Sequence, residues 1–236
     1  MSGINPGLYM RGFWRRMRLY AVCLMGLALQ SHPVVAQSPI DQQAAGGVAN
    51  IYNLDRDAHV GSVEIHGPID RAVTSQAIEL IRSIRPDVDE LTVLLNSTGG
   101  DVLAAMELGE EIKKQWALTA VDDDGQCVGA CVLVLAAGVR RTPAPVKVGL
   151  QRLNFEQGES ISRDRAKQKN AGSAKVVQVY LARMGMPKRL FQEMQSSERV
   201  LLLDARRLKA LGLDGTDPAY EQWLRANNYQ QPPKSD

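Results

Sequence analysis

Three short stretches of the chain combine residue types and spacings that can do chemistry. The first is Asn96-Ser97-Thr98-Gly99-Gly100-Asp101, where an apolar run ends in a glycine pair ahead of a helical pattern. Glycines at such a turn let backbone N–H groups face outward, and a helix start adds a partial positive charge. The turn can hold a phosphate, a carboxylate or an oxyanion, although a tight turn demands glycine for folding alone. The second is Cys127-Val128-Gly129-Ala130-Cys131, a strand-to-helix turn of the kind on which many hydrolases present a nucleophile. The third is Val148-Gly149-Leu150-Gln151-Arg152, a strand that ends in polar residues.

Other candidates read as ordinary surface. His66 stands at a strand end before Gly67-Pro68, and His59 in a polar lead-in. Asp122-Asp123-Asp124 resembles the start of a calcium loop, but Gly125 and Gln126 follow without the remaining ligands, so a solvated turn is expected. No cofactor and no metal are expected. In particular, a zinc site lacks a second cysteine pair, and both histidines lie far from Cys127 and Cys131 in sequence.

Alternating strand and helix signals must position these stretches. Val60–Ile65 alternates apolar with small or polar residues and stops at Gly67-Pro68. Asp70–Ile84 places Val73, Ala77, Ile78, Ile81 and Ile84 on one helix face, and Pro86 closes it. Leu91–Leu95 predicts a buried strand that leads into the glycine turn. Asp101–Trp116 predicts a second amphipathic helix, with Val102, Ala105, Met106, Leu108 and Ile112 inward. Strands follow at Leu118–Val121 and Val146–Leu150, with a small apolar helix at Gly129–Ala137 between them. Further helices are predicted at Ala174–Met184, Pro187–Gln195 and Asp204–Gly212, the last bounded by an Asp N-cap and a Gly C-cap. Such alternation implies an α/β fold with a mainly parallel sheet.

The charge pattern sets the compartment. The 236 residues hold 28 Lys+Arg and 26 Asp+Glu, a net charge of +2. Residues 1–36 contain Arg11, Arg15, Arg16 and Arg18 and no acid, so the remaining 200 residues carry a small acidic excess. That near-neutral body offers no electrostatic footprint for nucleic acid. The basic stretch precedes an apolar run, Leu19–Leu29, and a small-residue site, Val34-Val35-Ala36. This is the layout of a secretory signal peptide, and the run is too short to span a bilayer comfortably as a helix. Export to a bacterial periplasm is expected; an inner-membrane anchor through residues 19–29 is the alternative. Cys23 leaves with the signal. The two remaining cysteines, Cys127 and Cys131, are then expected to form one disulfide in an oxidising compartment. Residues 37–50 read as a linker, 51–225 as one domain and 226–236 as a polar tail.

The ordered set resembles the ClpP/crotonase superfamily, and most of all its exported bacterial branch, similar to the Clp protease proteolytic subunit and signal peptide peptidase A. The set comprises Gly67-Pro68-Ile69, then Asn-Ser-x-Gly-Gly and a helix, then Cys-x-x-Ala-Cys and a small-residue helix. A Val-Gly strand and a closing Leu208-Lys209-Ala210-Leu211-Gly212-Leu213 complete it. The resemblance covers roughly residues 51–215. It implies a repeated β-β-α spiral fold, a homo-oligomer, a peptide or protein ligand and a serine peptidase triad.

This chain departs from the triad. The nucleophile position is Gly129 and the general-base position is Gln151, and the acidic member falls near Val200 by an ungapped count from Gly212. Glycine has no side chain to attack with, and a glutamine amide takes no proton near neutral pH. No catalytic residue is therefore expected. The backbone donors of the family's oxyanion hole map to Gly99, Gly100 and Ala130, which side-chain loss need not remove. The resemblance thus implies an exported, inactive peptidase homologue that acts by binding or assembly. The alternative is a working periplasmic hydrolase with a non-standard nucleophile. A thiol of Cys127 or Cys131, Ser97 and Lys147 were each weighed for it, together with Ser160, Ser162 and Ser173 in the polar stretch Asn154–Ser173.

Overall fold

Apolar residues at every second position build β2 (Val60–His66) and β3 (Glu90–Asn96). They turn Val63 and Ile65, and Leu91, Val93 and Leu95, into the interior. The computed structural model that shows this describes residues 46–153 and 163–227. The expected signal peptide 1–36 with Cys23, the alternative anchor 19–29, most of the linker, Ser160, Ser162 and the end of the tail lie outside these residues.

β2 and β3 pair in parallel along their whole length, from Val60 opposite Glu90 to His66 opposite Asn96. The crossover is α1 (Arg71–Ile84), which buries Val73, Ala77, Ile78, Ile81 and Ile84. Asp70 starts it, its Oδ1 accepting from the Val73 N–H at 2.9 Å. After β3, Asp101 accepts from the N–H groups of Leu103 and Ala104 at 2.7 and 3.0 Å and so starts α2 (Val102–Lys114).

The remaining elements complete two sheets. The larger sheet also holds β1 (Val48–Asp55), β4 (Leu118–Val121), β6 (Arg140–Pro143) and β9 (Gly215–Thr216), in the order β1-β2-β3-β4-β6-β9. Its centre, β2 to β6, is parallel, and β1 and β9 add antiparallel edges. The smaller sheet has the order β5 (Cys127–Val128), β7 (Val148–Leu150), β8 (Leu201–Leu202). Between the two sheets in sequence and contact runs α3 (Cys131–Ala137), buried at every residue and packed on α2, β4, β5 and β7. Four helices follow: α4 (Arg163–Arg183), α5 (Lys188–Ser196), α6 (Ala205–Ala210) and α7 (Pro218–Ala226). The chain is therefore α/β, with mixed sheets whose parallel core follows the predicted strand–helix alternation. Among the described residues no helix is long and apolar enough to cross a membrane.

Several elements differ from the sequence expectation. β1 starts at Val48, inside the stretch read as linker. Its pairing with β2 buries Ala49 completely, a tertiary contribution that a Gly/Ala-rich segment does not advertise. The apolar helix expected from Gly129 starts at Cys131, because Gly129 adopts φ of 59°. α4 begins at Arg163, within the stretch read as a solvated loop, and its mixed charges hide any apolar periodicity. α7 lies beyond the last predicted helix and is announced only by Asp217 as N-cap and Pro218 at its first turn.

Two buried polar groups tie the helices together. Gly109 lets α2 approach α4 so closely that a Cβ there would overlap the Tyr180 hydroxyl. That hydroxyl donates to the Leu133 carbonyl of α3 at 2.8 Å, and burial pushes its pKa up. Glu111 of α2 is only 6% exposed and accepts from Arg82 of α1 at 2.9 and 2.7 Å. The Arg82 hydrogen bonds lower its pKa to about 2, against the opposing effect of burial. Because the folded pKa lies below that of the unfolded chain, the pair stabilises fully above about pH 5 and loses its effect as pH falls towards 2. Glu111→Gln is expected to be less stable than wild type at pH 7, with the gap closing between pH 5 and pH 2. Urea unfolding of both proteins across that range measures it.

Candidate functional site

Three backbone segments meet at one point, and each is there because a neighbouring strand holds it. The first is the glycine pair. The Ile69 N–H donates to the Gly99 carbonyl at 2.8 Å, and the Asp101 N–H donates to the Ile69 carbonyl at 2.7 Å. This parallel bridge between Ile69 and Gly100 turns the N–H and C=O of Gly100 itself away from Ile69. A side chain at Gly100, whose φ is 145°, would overlap the Ile69 backbone. On the opposite edge, the Ser97 N–H donates to Gln126 at 2.7 Å, and the Val128 N–H donates to Ser97 at 3.0 Å. The extension of β3 therefore lies between Ile69 and the end of β5.

The second segment is the turn from β5 into α3. Gly129 occupies the left-handed region, and its N–H donates to the Gly149 carbonyl of β7 at 3.1 Å. The two turns touch backbone to backbone: a Cβ on Gly99 would stand 2.9 Å from the Val128 carbonyl oxygen and 3.1 Å from the Ala130 nitrogen. A Cβ on Gly129, by contrast, would point into space. Its nearest atoms among the described residues are Gln151 Oε1 and the Thr98 carbonyl oxygen, both at 3.8 Å. The N–H groups of Gly100 and Ala130 have no acceptor among the described residues.

The third segment is the end of β7. Gly149 faces Leu202 and Leu150 faces Leu201 across the antiparallel pair with β8, so the same register sets Gln151 across from Val200. Val200 leans over the strand, with its Cγ1 2.7 Å from where a Cβ on Gly149 would lie. A side chain at position 149 would have to displace Val200. Gly129, Gln151 and Val200 are thus neighbours, as are Gly99, Gly100 and Ala130 beside them.

Cys127 and Cys131 bracket the turn and are joined by a disulfide with a Cα–Cα distance of 5.2 Å. Both are fully buried. Ser97 is buried too, and its hydroxyl is committed to the glycine turn: it accepts from the Gly99 N–H at 3.1 Å and donates to the Gly99 carbonyl at 3.2 Å. Lys147 lies at the opposite end of β7 from Gln151, where its carbonyl accepts from the Cys127 N–H at 2.8 Å. His66 pairs with Asn96 at 3.1 Å at the ends of β2 and β3, and His59 is exposed. The three aspartates 122–124 are exposed around a turn closed by the Gly125 N–H to the Asp122 carbonyl at 3.0 Å. Among the described residues no group of three His, Cys, Asp or Glu side chains is placed to hold a metal.

Chemically, the site offers two outward backbone N–H donors, a side-chain amide and, among the described residues, room beside Gly129. Reading the sequence missed the part played by Gly149 and by β8. The apolar run Val200-Leu201-Leu202-Leu203 was a signal for that strand, but two paired residues are too few to show a period. No protein-family model matches the chain, and none of the curated proteins is significantly similar to it.

The disulfide closes a short loop around the left-handed residue. Loop closure of this length is worth about 2 kcal/mol. The Cys127→Ala/Cys131→Ala double variant is expected to unfold at lower urea by about that free energy or more, since both side chains are buried. Urea titration of oxidised wild type against the variant checks it. Alkylation and mass spectrometry of the non-reduced protein should find no free thiol at either position.

Proposed function

We propose that this chain is an exported homologue of ClpP-like serine peptidases, with the repeated β-β-α spiral of that superfamily, that has lost its catalytic triad and acts by binding or assembly. One observation carries the reading. The three positions matched to nucleophile, base and acid on sequence grounds alone, Gly129, Gln151 and Val200, are spatial neighbours beside the glycine pair. Chance matches at three sites so far apart in the chain would not be expected to converge. The left-handed turn at Gly129 also has the strand-to-helix form of a nucleophile elbow. The larger and smaller sheets, fed by alternating strands and helices, are compatible with the spiral.

With glycine and glutamine at these positions, proton abstraction and nucleophilic attack have no agents. A substitute thiol is not at hand, because Cys127 and Cys131 are bonded to each other. Ser97 is buried and holds the turn. The backbone donors at Gly100 and Ala130 keep the polar half of an acyl-binding site.

Wild-type mature protein is expected to hydrolyse neither an activated ester nor casein above background. Gly129→Ser alone should remain inert, because a serine without its base is a weak nucleophile. Gly129→Ser with Gln151→His is expected to gain a trace of esterase activity, small because Val200 leaves the imidazole without an orienting carboxylate. Turnover by wild type that survives Cys127→Ala and Cys131→Ala but disappears on changing another side chain would contradict the reading.

Assembly is the second part of the proposal. Val176 and Val179 of α4 are each about half exposed, at 51% and 52%, and supply an apolar face for a further copy. Light scattering at micromolar concentration should give a mass above that of one chain, and a monomer mass would contradict homo-oligomerisation.

A further inference from the structure

Resting on the reading of an inert peptidase-like site, we infer that this site takes the free C-terminal carboxylate of a polypeptide that ends in an aliphatic residue. A peptidase cradles one acyl oxygen on its backbone donors and fills the adjoining volume with the nucleophile. In this chain no side chain fills that volume among the described residues, where the Gln151 amide and the Thr98 carbonyl each lie 3.8 Å from the place of a Cβ on Gly129. A carboxylate has a second oxygen that needs both the volume and a donor. Rotation of the Gln151 amide presents its NH2 group there, and no protein partner holds that amide among the described residues. The first oxygen takes the N–H groups of Gly100 and Ala130, which lack acceptors among the described residues. The Thr98 carbonyl is an acceptor for the last peptide N–H. The two replacements that abolish the triad therefore have a joint product, which is room and a donor for the second oxygen.

The surface beside Gln151 selects what carries the carboxylate. Alternation along β7 and β8 puts Gly149, Gln151, Val200 and Leu202 on one face, where Val128 also flanks Gly149. Val200 and Leu202 are 46% and 54% exposed, and none of the residues on this strip is ionisable. An aliphatic side chain fits such a strip, whereas a charged one would lose hydration without a partner. β8 is also an edge strand. Leu203 bonds inward, donating to Val148 and accepting from Val146, so alternation turns the backbone groups of Val200 and Leu202 outward. An extended peptide can pair with them, which a simple fatty acid cannot.

Fluorescence polarisation with wild-type mature protein tests this, using a labelled peptide ending in Ala-Ala-Val as the free acid, the same peptide as its C-terminal amide, and a free acid ending in Ala-Ala-Lys. The valine acid is expected to bind at least about tenfold more tightly than its amide, the difference that loss of charge-assisted hydrogen bonds makes. It should also bind more tightly than the lysine peptide. Gln151→Leu, at an exposed position, should weaken binding of the valine acid, and unchanged binding of that acid by the variant would overturn the inference. Equal binding of acid and amide, no binding of either, or hexanoate competing as well as the peptide would overturn the inference while leaving the inert site intact. Mass spectrometry of the recovered peptide keeps the two ideas separate, because shortened peptide would overturn the inert reading itself.

Discussion

Backbone contact between the glycine pair and the turn at Gly129 is the constraint from which the rest of the site follows. Gly99 has no Cβ because the Val128 carbonyl and the Ala130 amide occupy that side, and Gly100 has none because Ile69 occupies the other. Strand bonds on both edges of the β3 extension, from Ile69 and from Gln126 and Val128, hold the pair at this distance. The disulfide between Cys127 and Cys131 fastens the turn from the far side. The amides of Gly100 and Ala130 lie on this contact and need no particular side chains to stay there. Such a backbone arrangement does not depend on reactive side chains, since the same geometry is what lets β3, β5 and α3 pack.

The same logic bears on the proposed absence of a triad. A nucleophile, a base and an orienting acid act through side chains, and none of the three matched positions has a side chain that can react in those roles. Val200 covers Gly149, Gln151 follows the end of β7 with its side chain exposed, and Gly129 takes the left-handed conformation that a side chain would strain. Chemistry at this point would need at least a nucleophile and a base introduced together, whereas recognition of a carboxylate or carbonyl needs only what is already present. The surrounding helices are fastened independently of it, through the Glu111–Arg82 pair and the Tyr180 hydroxyl.

Much of this was legible in the amino-acid sequence where local signals and tertiary packing agree. Asp70, Asp101 and Asp204 each mark a helix start and each accepts the expected backbone N–H. The apolar faces of α1 and α2 follow directly from their spacing. The pairing of Cys127 with Cys131 followed from their number and from an exported setting. Elements that exist only because a partner strand is present were not legible. β1 is defined by β2, and β5, β8 and β9 are each two residues long, so they have no period of their own. Glu111 was also hidden, since an acid on a helix reads as surface until the neighbouring Arg82 is placed beside it. Gly149 belongs to a motif in the sequence, and only the position of Val200 shows what a side chain there would have to displace.

The proposed function rests on the claim that the positions matched to a triad carry no reactive group while the backbone frame around them is intact. Labelling with a fluorophosphonate probe, followed by peptide mapping, tests both halves in one measurement. The account predicts no label on wild-type mature protein, and label at position 129 in the Gly129→Ser/Gln151→His variant. Label on the wild type, or label in the variant at any residue other than position 129, would contradict it.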